Sequence, residues 1–332
     1  MKKILKALLI ALFIIFSPLT IVFGKQVILG GDNIGIELDF EGILISGTYD
    51  IKYNNITYNP VDSDIKKGDY IISINSNKVE TSKDLIQYIN KLDKTQEVSL
   101  TILRNNKQIN RNLLVINNNG NWKTGLMIKD HILGIGTVTY YDSNHNTYAA
   151  LGHEISDSSS GQVIKIEGGT IYSSNVTGVT KSINGKPGEK IATIDKENEL
   201  GSIIKNTKYG IYGETEVIPD DGIYIETASI DEVQLGKAEI WTVLKGNIKK
   251  KYDIEITNIK KQDKKDIKGI TFKIVDKELL NNTNGVIQGM SGSPIVQNGK
   301  LIGAITHVIV SDVTTGYGIH INWMIETEES LV

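Results

Sequence analysis

The chain has no cysteine among its 332 residues. Structural disulfides, thiol catalysis and thiolate metal sites are therefore excluded, and redox chemistry leaves the compartment open. The sequence also lacks a strong charge of either sign, with 36 Lys+Arg against 39 Asp+Glu and a net charge of −3. A protein so balanced has no field that attracts nucleic acid, and we exclude nucleic acid as a partner.

Metal and cofactor motifs are missing as well. The His153-Glu154 step occurs in zinc metallopeptidases, but no second histidine stands three residues beyond Glu154, so the H-E-x-x-H helix is absent. No cofactor-binding motif is present. We therefore expect a chemistry that needs neither a cofactor nor a metal.

The first 24 residues form the longest apolar segment. Three lysines flank an apolar run over residues 7–23 that only three residues interrupt, and this length is close to the ~20 residues that span a bilayer. The positive end should stay in the cytoplasm, which sends the rest of the chain across the membrane. No clear A-x-A site precedes Lys25. Residues 1–24 are thus expected to be a signal peptide or membrane anchor, with an uncleaved or slowly processed anchor favoured.

Residues 25–117 show short strands and one helix. The pattern I-K-x-G-D-x-I-x-x-I-N covers residues 65–75, and a helix is predicted from Ser82 to Leu92, with Leu85, Ile86 and Ile89 on one face. This segment resembles a PDZ domain. Such domains bind an extended peptide by adding a strand to a sheet edge.

Within the PDZ-like segment, the loop 31–35 is expected at the carboxylate-binding position. The candidate donors to a peptide are the N–H groups of Ile34, Gly35 and Ile36. The alternative is a packing module that only positions the rest of the protein.

Residues 118–332 are rich in short strands and turns, while long helical patterns are scarce. Tyr252, Ile254 and Ile256 alternate with polar residues, as in a strand with one wet face. Regularly spaced strands of this kind favour a pair of β-barrels over a doubly wound sheet. The fold class expected for the whole chain is mainly β.

The segment 289–303 contains the clearest functional signal. Ser291 stands in a turn flanked by Gly289 and Gly292, directly before an apolar strand. Glycines at these places leave backbone N–H groups free to point at one spot. The N–H groups of Gly289 and Ser291 are therefore a candidate oxyanion hole.

A nucleophilic serine needs a base, and the chain has five histidines. His153 is favoured because it ends an apolar run, 148–151, that should be a buried strand. His307 lies on the strand after the serine turn, where it can line a cleft. The order of His153 before Ser291 is similar to that of the chymotrypsin-like serine peptidases.

A closer resemblance covers nearly the whole chain. The motif Leu-Gly-His-Glu at 151–154, the run Gln-Gly-Met-Ser-Gly-Ser-Pro-Ile at 288–295 and the segment 316–324 resemble the SpoIVB family of sporulation serine peptidases. The resemblance implies that Asp276 is the third catalytic residue and orients the histidine. From the residues alone, Asp142, Asp157 and Asp312 are further candidates.

The resemblance also implies a chymotrypsin-like double β-barrel and a role in sporulation signalling. Members of the family act between forespore and mother cell, cleave themselves, and cleave a regulatory membrane protein of an intramembrane protease complex. That protease then activates a late sporulation sigma factor. Two alternatives remain open: a catalytically silent PDZ/peptidase-fold scaffold and a general envelope quality-control serine protease.

Overall fold

The computed structural model describes residues 24–105, 107–156, 161, 163–219, 222–261 and 264–331. The expected membrane segment, residues 1–24, lies outside the described residues except for Gly24. Across the described ranges, every helix is too short or too polar to span a bilayer.

The strands, in chain order, are β1 (Gln26–Leu29), β2 (Asn33–Thr48), β3 (Ile51–Tyr53), β4 (Ile56–Tyr58), β5 (Tyr70–Ile74), β6 (Asn77–Lys78), β7 (Gln96–Arg104), β8 (Lys107–Asn118), β9 (Asn121–Lys123), β10 (Leu126–Asp142), β11 (Thr147–Ala150), β12 (Gly168–Thr180), β13 (Glu189–Ser202), β14 (Lys205–Thr207), β15 (Gly210–Glu214), β16 (Tyr224–Thr227), β17 (Gly236–Val243), β18 (Lys249–Ile259), β19 (Ile270–Ile274), β20 (Pro294–Gln297), β21 (Lys300–Ile309) and β22 (Asp312–His320). The helices are α1 (Ser82–Ile89), α2 (Lys277–Thr283) and α3 (Ile321–Glu329), with 3-10 turns at Pro60–Ser63 and Ile230–Glu232. The mainly β class expected from the sequence is confirmed.

The C-terminal half forms a closed six-stranded barrel. Its strands pair in the order β17, β18, β19, β22, β21 and β20, and β20 returns to β17. Tyr252, Ile254 and Ile256 are buried while the residues between them are exposed, as their alternation predicts. Together with Phe272 and Ile295 they form the barrel core.

A second group of strands lies before this barrel and has its own core. The first half of β2 pairs with β10 on one side and β12 on the other, while β10 continues to β11 and β11 to β15. The core of this group contains Ile34, Leu38, Val138, Leu151 and Ile171. β1 pairs with β10 and β16, and so joins the two groups.

The PDZ-like unit uses the second half of β2, followed by β5, β7, β8 and α1. Its core contains Ile43, Ile71, Leu85 and Leu113. α1 begins after Thr81, whose side chain forms a capping box with Asp84. The helix expected from Ser82 to Leu92 is therefore present but ends at Ile89. Ile86, expected on its apolar face, is instead 51% exposed.

The prediction that Ile34, Gly35 and Ile36 bind a peptide is wrong. Gly35 pairs with Ile135 of β10 and with Tyr172 of β12, so both edges of this stretch are occupied by other strands of the same chain. Ile34 and Ile36 are also buried in the core of the second group of strands. No backbone edge is left there for a ligand to join.

The same pairing corrects the expected domain boundaries. Residues 26–40, assigned by sequence to a PDZ-like domain at 25–117, pack with strands of the segment 118–332. β2 is a continuous strand of 16 residues whose two halves belong to different cores. Periodicity indicates a strand in this region but does not reveal which sheet each half joins.

Candidate active site

Ser291 lies in the turn between α2 and β20, where the closed barrel faces the second group of strands. α2 ends at Thr283, and Asn284 is its C-cap with a φ of 57°. The turn is held from the other side by β10: Thr137 N donates to the carbonyl of Ser291 at 3.0 Å, and Thr139 Oγ1 donates to that of Gly292 at 2.8 Å. Strands from both groups therefore fix the position of the serine.

Two glycines give the turn its shape. Gly289 has a φ of +89° and Gly292 a φ of +90°, a region that side chains disfavour. At Gly292 a Cβ would also lie 1.9 Å from the carbonyl oxygen of Thr137. The flanking glycines are thus required by both backbone angle and space.

His153 follows β11 on the opposite wall. The chain reaches it through Leu151 and Gly152, both with a φ of 70°. A leucine in this conformation is uncommon, and such strain often accompanies functional positions. The turn directs the imidazole out of the strand and toward the serine.

The two side chains meet in a hydrogen bond. His153 Nε2 lies 2.9 Å from Ser291 Oγ, and the other ring nitrogen, Nδ1, lies 2.7 Å from the carbonyl oxygen of Glu154. Because a carbonyl only accepts, Nδ1 carries the proton and Nε2 is left as the acceptor for the serine hydroxyl. Burial lowers the pKa of His153 from its ordinary value of 6.5, although Glu154 opposes this shift. The imidazole is therefore neutral at neutral pH.

The N–H groups of Gly289 and Ser291 point into the space beside Ser291. The carbonyl of Gln288 accepts from Lys190 N at 3.0 Å, and that of Met290 accepts from Ser293 N at 2.9 Å. In a planar trans peptide the N–H points opposite to the carbonyl, so the N–H of Gly289 points away from β13 and that of Ser291 points away from Ser293. Within the described part of the chain, neither N–H has an acceptor.

The expectation that Asp276 orients His153 is not met in this structure. Asp276 is the N-cap of α2: its Oδ1 accepts from Leu279 N at 2.8 Å and its Oδ2 from Asp253 N at 3.4 Å. Aspartate at this position stabilises a helix start by satisfying free N–H groups. The partner of His153 Nδ1 is instead the backbone of Glu154.

The other aspartates considered from sequence also have different partners or are not described. Asp142 is buried in an ion pair with Lys25, and Asp312 accepts from Thr314 and Thr315 in its own turn. Asp157 lies outside the described residues. Among the described residues, Glu154 is the acidic group whose charge acts on the pKa of His153.

The chain matches two family models. The family model described as SpoIVB peptidase S55 matches residues 120–325. The chain belongs to the SpoIVB peptidase S55 family. It is accordingly a serine endopeptidase, and peptidase activity implies protein substrates. A PDZ domain model matches residues 45–115, which run from the last four residues of β2 into β8.

Solved structures similar to this S55 peptidase include those of the Rv3671c protease from M. tuberculosis. The inactive form shares 12% identity with a TM-score of 0.35, covering 59% of this chain and 83% of that chain. The active form shares 13% identity with a TM-score of 0.34, covering 59% and 72%. No curated protein sequence matches this chain significantly.

The S55 site opens into a cleft of about 450 Å³. His153, Ser291, Gly289 and His307 all line it, so His307 lies where the sequence suggested. Its ring centroid is 5.1 Å from that of His153. Burial, followed by the charges of His153 and Lys268, lowers the pKa of His307 to about 4. His307 is therefore a neutral wall of the cleft at neutral pH.

The other histidines have structural partners. His145 pairs with Asp142 at 2.7 Å, His131 lies 3.8 Å from Glu37, and His320 is the N-cap of α3.

Three residues of the S55 site were missed by sequence reasoning: Thr137, Thr139 and Lys190. The two threonines are fully buried in the apolar strand β10, and both hold the serine turn. The sequence signal for the two threonines is their spacing. Residues i and i+2 of a strand lie on the same face, and two polar groups on a buried face need hydrogen-bond partners. Lys190 gives no such signal, since it stands in a polar stretch of sequence.

Proposed function

We propose that Ser291 is the nucleophile and His153 the general base of this serine endopeptidase. The 2.9 Å contact between Ser291 Oγ and His153 Nε2 carries the proposal. A hydroxyl is a weak nucleophile until an adjacent base accepts its proton. Burial keeps the pKa of His153 below 6.5, so the base is available at neutral pH.

The reaction follows from these positions. Ser291 Oγ attacks the peptide carbonyl while its proton passes to His153 Nε2, and the same proton then goes to the leaving amine. The negative charge that develops on the carbonyl oxygen is stabilised by the N–H groups of Gly289 and Ser291. The carbonyl of Glu154 holds the imidazole in the required tautomer from Nδ1. The chymotrypsin-like double barrel expected from sequence suits a cleft between two groups of strands.

The proposed biological role comes from the family to which the chain belongs. We place the enzyme outside the cytoplasm, tethered or delivered by residues 1–24, in the space between forespore and mother cell. It cleaves itself and a regulatory membrane protein of an intramembrane protease complex, so that a late sporulation sigma factor is activated. The PDZ-like unit engages these proteins through a surface other than residues 34–36.

The test compares full-length wild type with Ser291→Ala by intact mass over time, alone and with the extracytoplasmic part of the membrane regulator. Ser229→Ala, an exposed serine before a 3-10 turn, is the matched control. Fragments should appear in wild type and in the control but not in Ser291→Ala. Cleavage that persists in Ser291→Ala contradicts the assigned nucleophile, and intact chains throughout favour the silent scaffold.

A further inference from the structure

Lys190 is a buried lysine beneath the serine turn. It lies on β13, is 5% exposed, and its Nζ donates to Thr242 Oγ1 at 3.0 Å, Asn33 Oδ1 at 3.1 Å and Thr137 Oγ1 at 3.3 Å. None of these partners is a carboxylate. Buried lysines are rare and are normally paired with an opposite charge, so this arrangement requires an explanation.

The backbone of Lys190 fixes one side of Gly289. Lys190 N donates to the carbonyl of Gln288 at 3.0 Å, and Gln288 N donates in turn to the carbonyl of Gly188 at 2.8 Å. Because the peptide between Gln288 and Gly289 is planar, holding its carbonyl toward β13 sends the Gly289 N–H the other way, into the cleft. This N–H is one of the two proposed oxyanion donors.

The side chain of Lys190 fixes the other side of Gly289 through Thr137. Thr137 Oγ1 donates to the carbonyl of Gly289 at 2.8 Å, and its oxygen accepts from Lys190 Nζ. The stem packs against the same glycine, since a Cβ there would lie 3.0 Å from Lys190 Cδ. Both carbonyls flanking Gly289 are thus held by Lys190, one directly and one through a hydroxyl.

We propose that Lys190 is a positioning residue of the oxyanion hole, which acts through Thr137 and through the carbonyl of Gln288 to hold the Gly289 N–H toward the substrate oxygen. This inference rests on the proposed function, because it presupposes that Gly289 and Ser291 stabilise an oxyanion. A preorganised donor contributes more than one that must reorient during the reaction. Lys190 supplies that preorganisation.

Each described residue that accepts a hydrogen bond from the Lys190 ammonium group is neutral. β2 contributes Asn33, β10 contributes Thr137 and β17 contributes Thr242. Asp32, next to Asn33, is paired with Lys249 of β18 at 3.2 Å. Burial alone lowers the pKa of Lys190 to about 7. Its charge is therefore not cancelled by a carboxylate beside the place where an anion forms.

The test uses a fluorophosphonate probe, which needs no knowledge of the natural substrate. The probe forms a bond between phosphorus and Ser291 Oγ, expels fluoride, and places a phosphoryl oxygen in the oxyanion hole. Three full-length variants are compared with wild type: Lys190→Met, Thr137→Val and the double variant. Lys190→Met keeps the stem and the backbone N–H that holds the carbonyl of Gln288 but removes the Nζ donors, so it tests the route through Thr137. Lys249→Met is the matched control, because it removes a nearby lysine that does not touch Thr137.

The labelling rate should fall about tenfold or more in Lys190→Met, less than the 10²–10³ lost with an oxyanion donor itself. Thr137→Val should show a similar loss, and the double variant should fall no further than the larger single effect, since the two act in one chain of bonds. Equal rates in wild type and Lys190→Met, or fully additive losses, overturn the inference.

A second measurement separates this inference from the proposed function. Amide hydrogen exchange over residues 286–293 is compared between Ser291→Ala and Ser291→Ala/Lys190→Met, where no activity is needed. Faster exchange confined to this segment in the double variant supports the positioning role, and unchanged exchange overturns it. Absence of labelling in wild type overturns the proposed function instead, and the exchange result then decides on Lys190 alone.

Discussion

Two lysines of this peptidase, Lys25 and Lys190, have opposite surroundings. Lys25, just before β1, makes ion pairs of 2.9 Å with both Asp142 and Glu328, which are 1% and 4% exposed at their side chains. Lys190, beneath the serine turn, has three neutral oxygen partners. The first lysine neutralises buried charge and the second creates it. The contrast separates ion pairs that stabilise the fold from hydrogen bonds to neutral oxygens that, in our proposal, serve the reaction.

The largest expected effect in this comparison is that of Lys25→Met. The variant leaves two buried carboxylates without their cation, and breaking a buried pair in this way costs about 3–5 kcal/mol of the free energy of unfolding. Urea unfolding measures it. Lys300→Met, which removes an exposed ion pair with Glu232, is the control and should change stability far less. Equal losses would contradict the stabilising role of Lys25.

Lys190→Met, unlike Lys25→Met, should not lower the free energy of unfolding at pH 7. Replacing a buried group that lacks an opposite charge with an apolar one is expected to leave the free energy of unfolding unchanged or about 1 kcal/mol higher. The same variant lowers the labelling rate. A large loss of stability in urea unfolding would show that Lys190 is structural and would remove the contrast with Lys25.

The two lysine sites should also change the stability of the fold in different pH ranges, the site of Lys190 above neutral pH and that of Lys25 at acid pH. The pKa of Lys190 is about 7 in the fold against an ordinary value of 10.5. Between these values the unfolded chain keeps a proton that the fold has released, so stability should rise with pH relative to Lys190→Met.

At acid pH the change comes from Asp142, near Lys25. Burial raises its pKa, but bonds to Lys25 and His145 outweigh this and lower it below 3.8. Its contribution is thus present above pH 3.8 and is lost as the pH falls through the lowered value. Urea unfolding across pH, with both methionine variants beside wild type, checks both directions. If the free energy of unfolding changed with pH in the same way for wild type and Lys190→Met above pH 7, the expected effect of Lys190 would be contradicted.

Loss of activity should precede loss of structure on acidification. Because burial keeps the pKa of His153 below 6.5, the labelling rate should fall only below that pH, when the base becomes protonated. Circular dichroism should still report a folded protein there, because the ionic contacts of Lys25 survive to lower pH. Coincident loss of labelling and structure would mean that one group controls both.

The smallest expected effect is that of Asp276→Asn. In the structure His153, like Lys190, has a neutral partner, and Asn caps a helix about as well as Asp. The labelling rate should therefore stay near that of wild type, while Asp276→Ala costs about 1 kcal/mol of stability. A large loss of labelling in Asp276→Asn would restore the aspartate that the family resemblance implies.

The sequence predicts those parts of the protein that depend on local pattern. Alternation over Tyr252 to Ile256 predicts a barrel strand, and glycines around Ser291 predict the exposed turn, because both follow from backbone geometry. Pairing of Ser291 with His153 comes from motif order. These features need no knowledge of which distant segments meet.

The missed features all depend on long-range pairing. β10 and β12 occupy both edges of residues 34–36, but their residues are far away in the chain. The two partners of Gly35, Ile135 and Tyr172, lie about 100 and 137 positions later. Lys190 stands between exposed residues in the sequence and is buried because Asn33, Thr137 and Thr242 arrive from three other strands. Asp276 is expected to be catalytic from the family resemblance, but in the structure it is the N-cap of α2.

The division of β2 between two cores has a consequence for how the chain folds. The first half of β2 lacks its neighbouring strands until β10 and then β12 have been synthesised. In the same way, β1 lacks one of its neighbours until β16 has been synthesised. Closing such long loops is slow and leaves an unpaired strand edge open to aggregation. The PDZ-like unit lies between β2 and β10, so its early folding would bring their ends together and lower the entropy of that closure. The PDZ-like unit would then act as an internal template for assembling the peptidase.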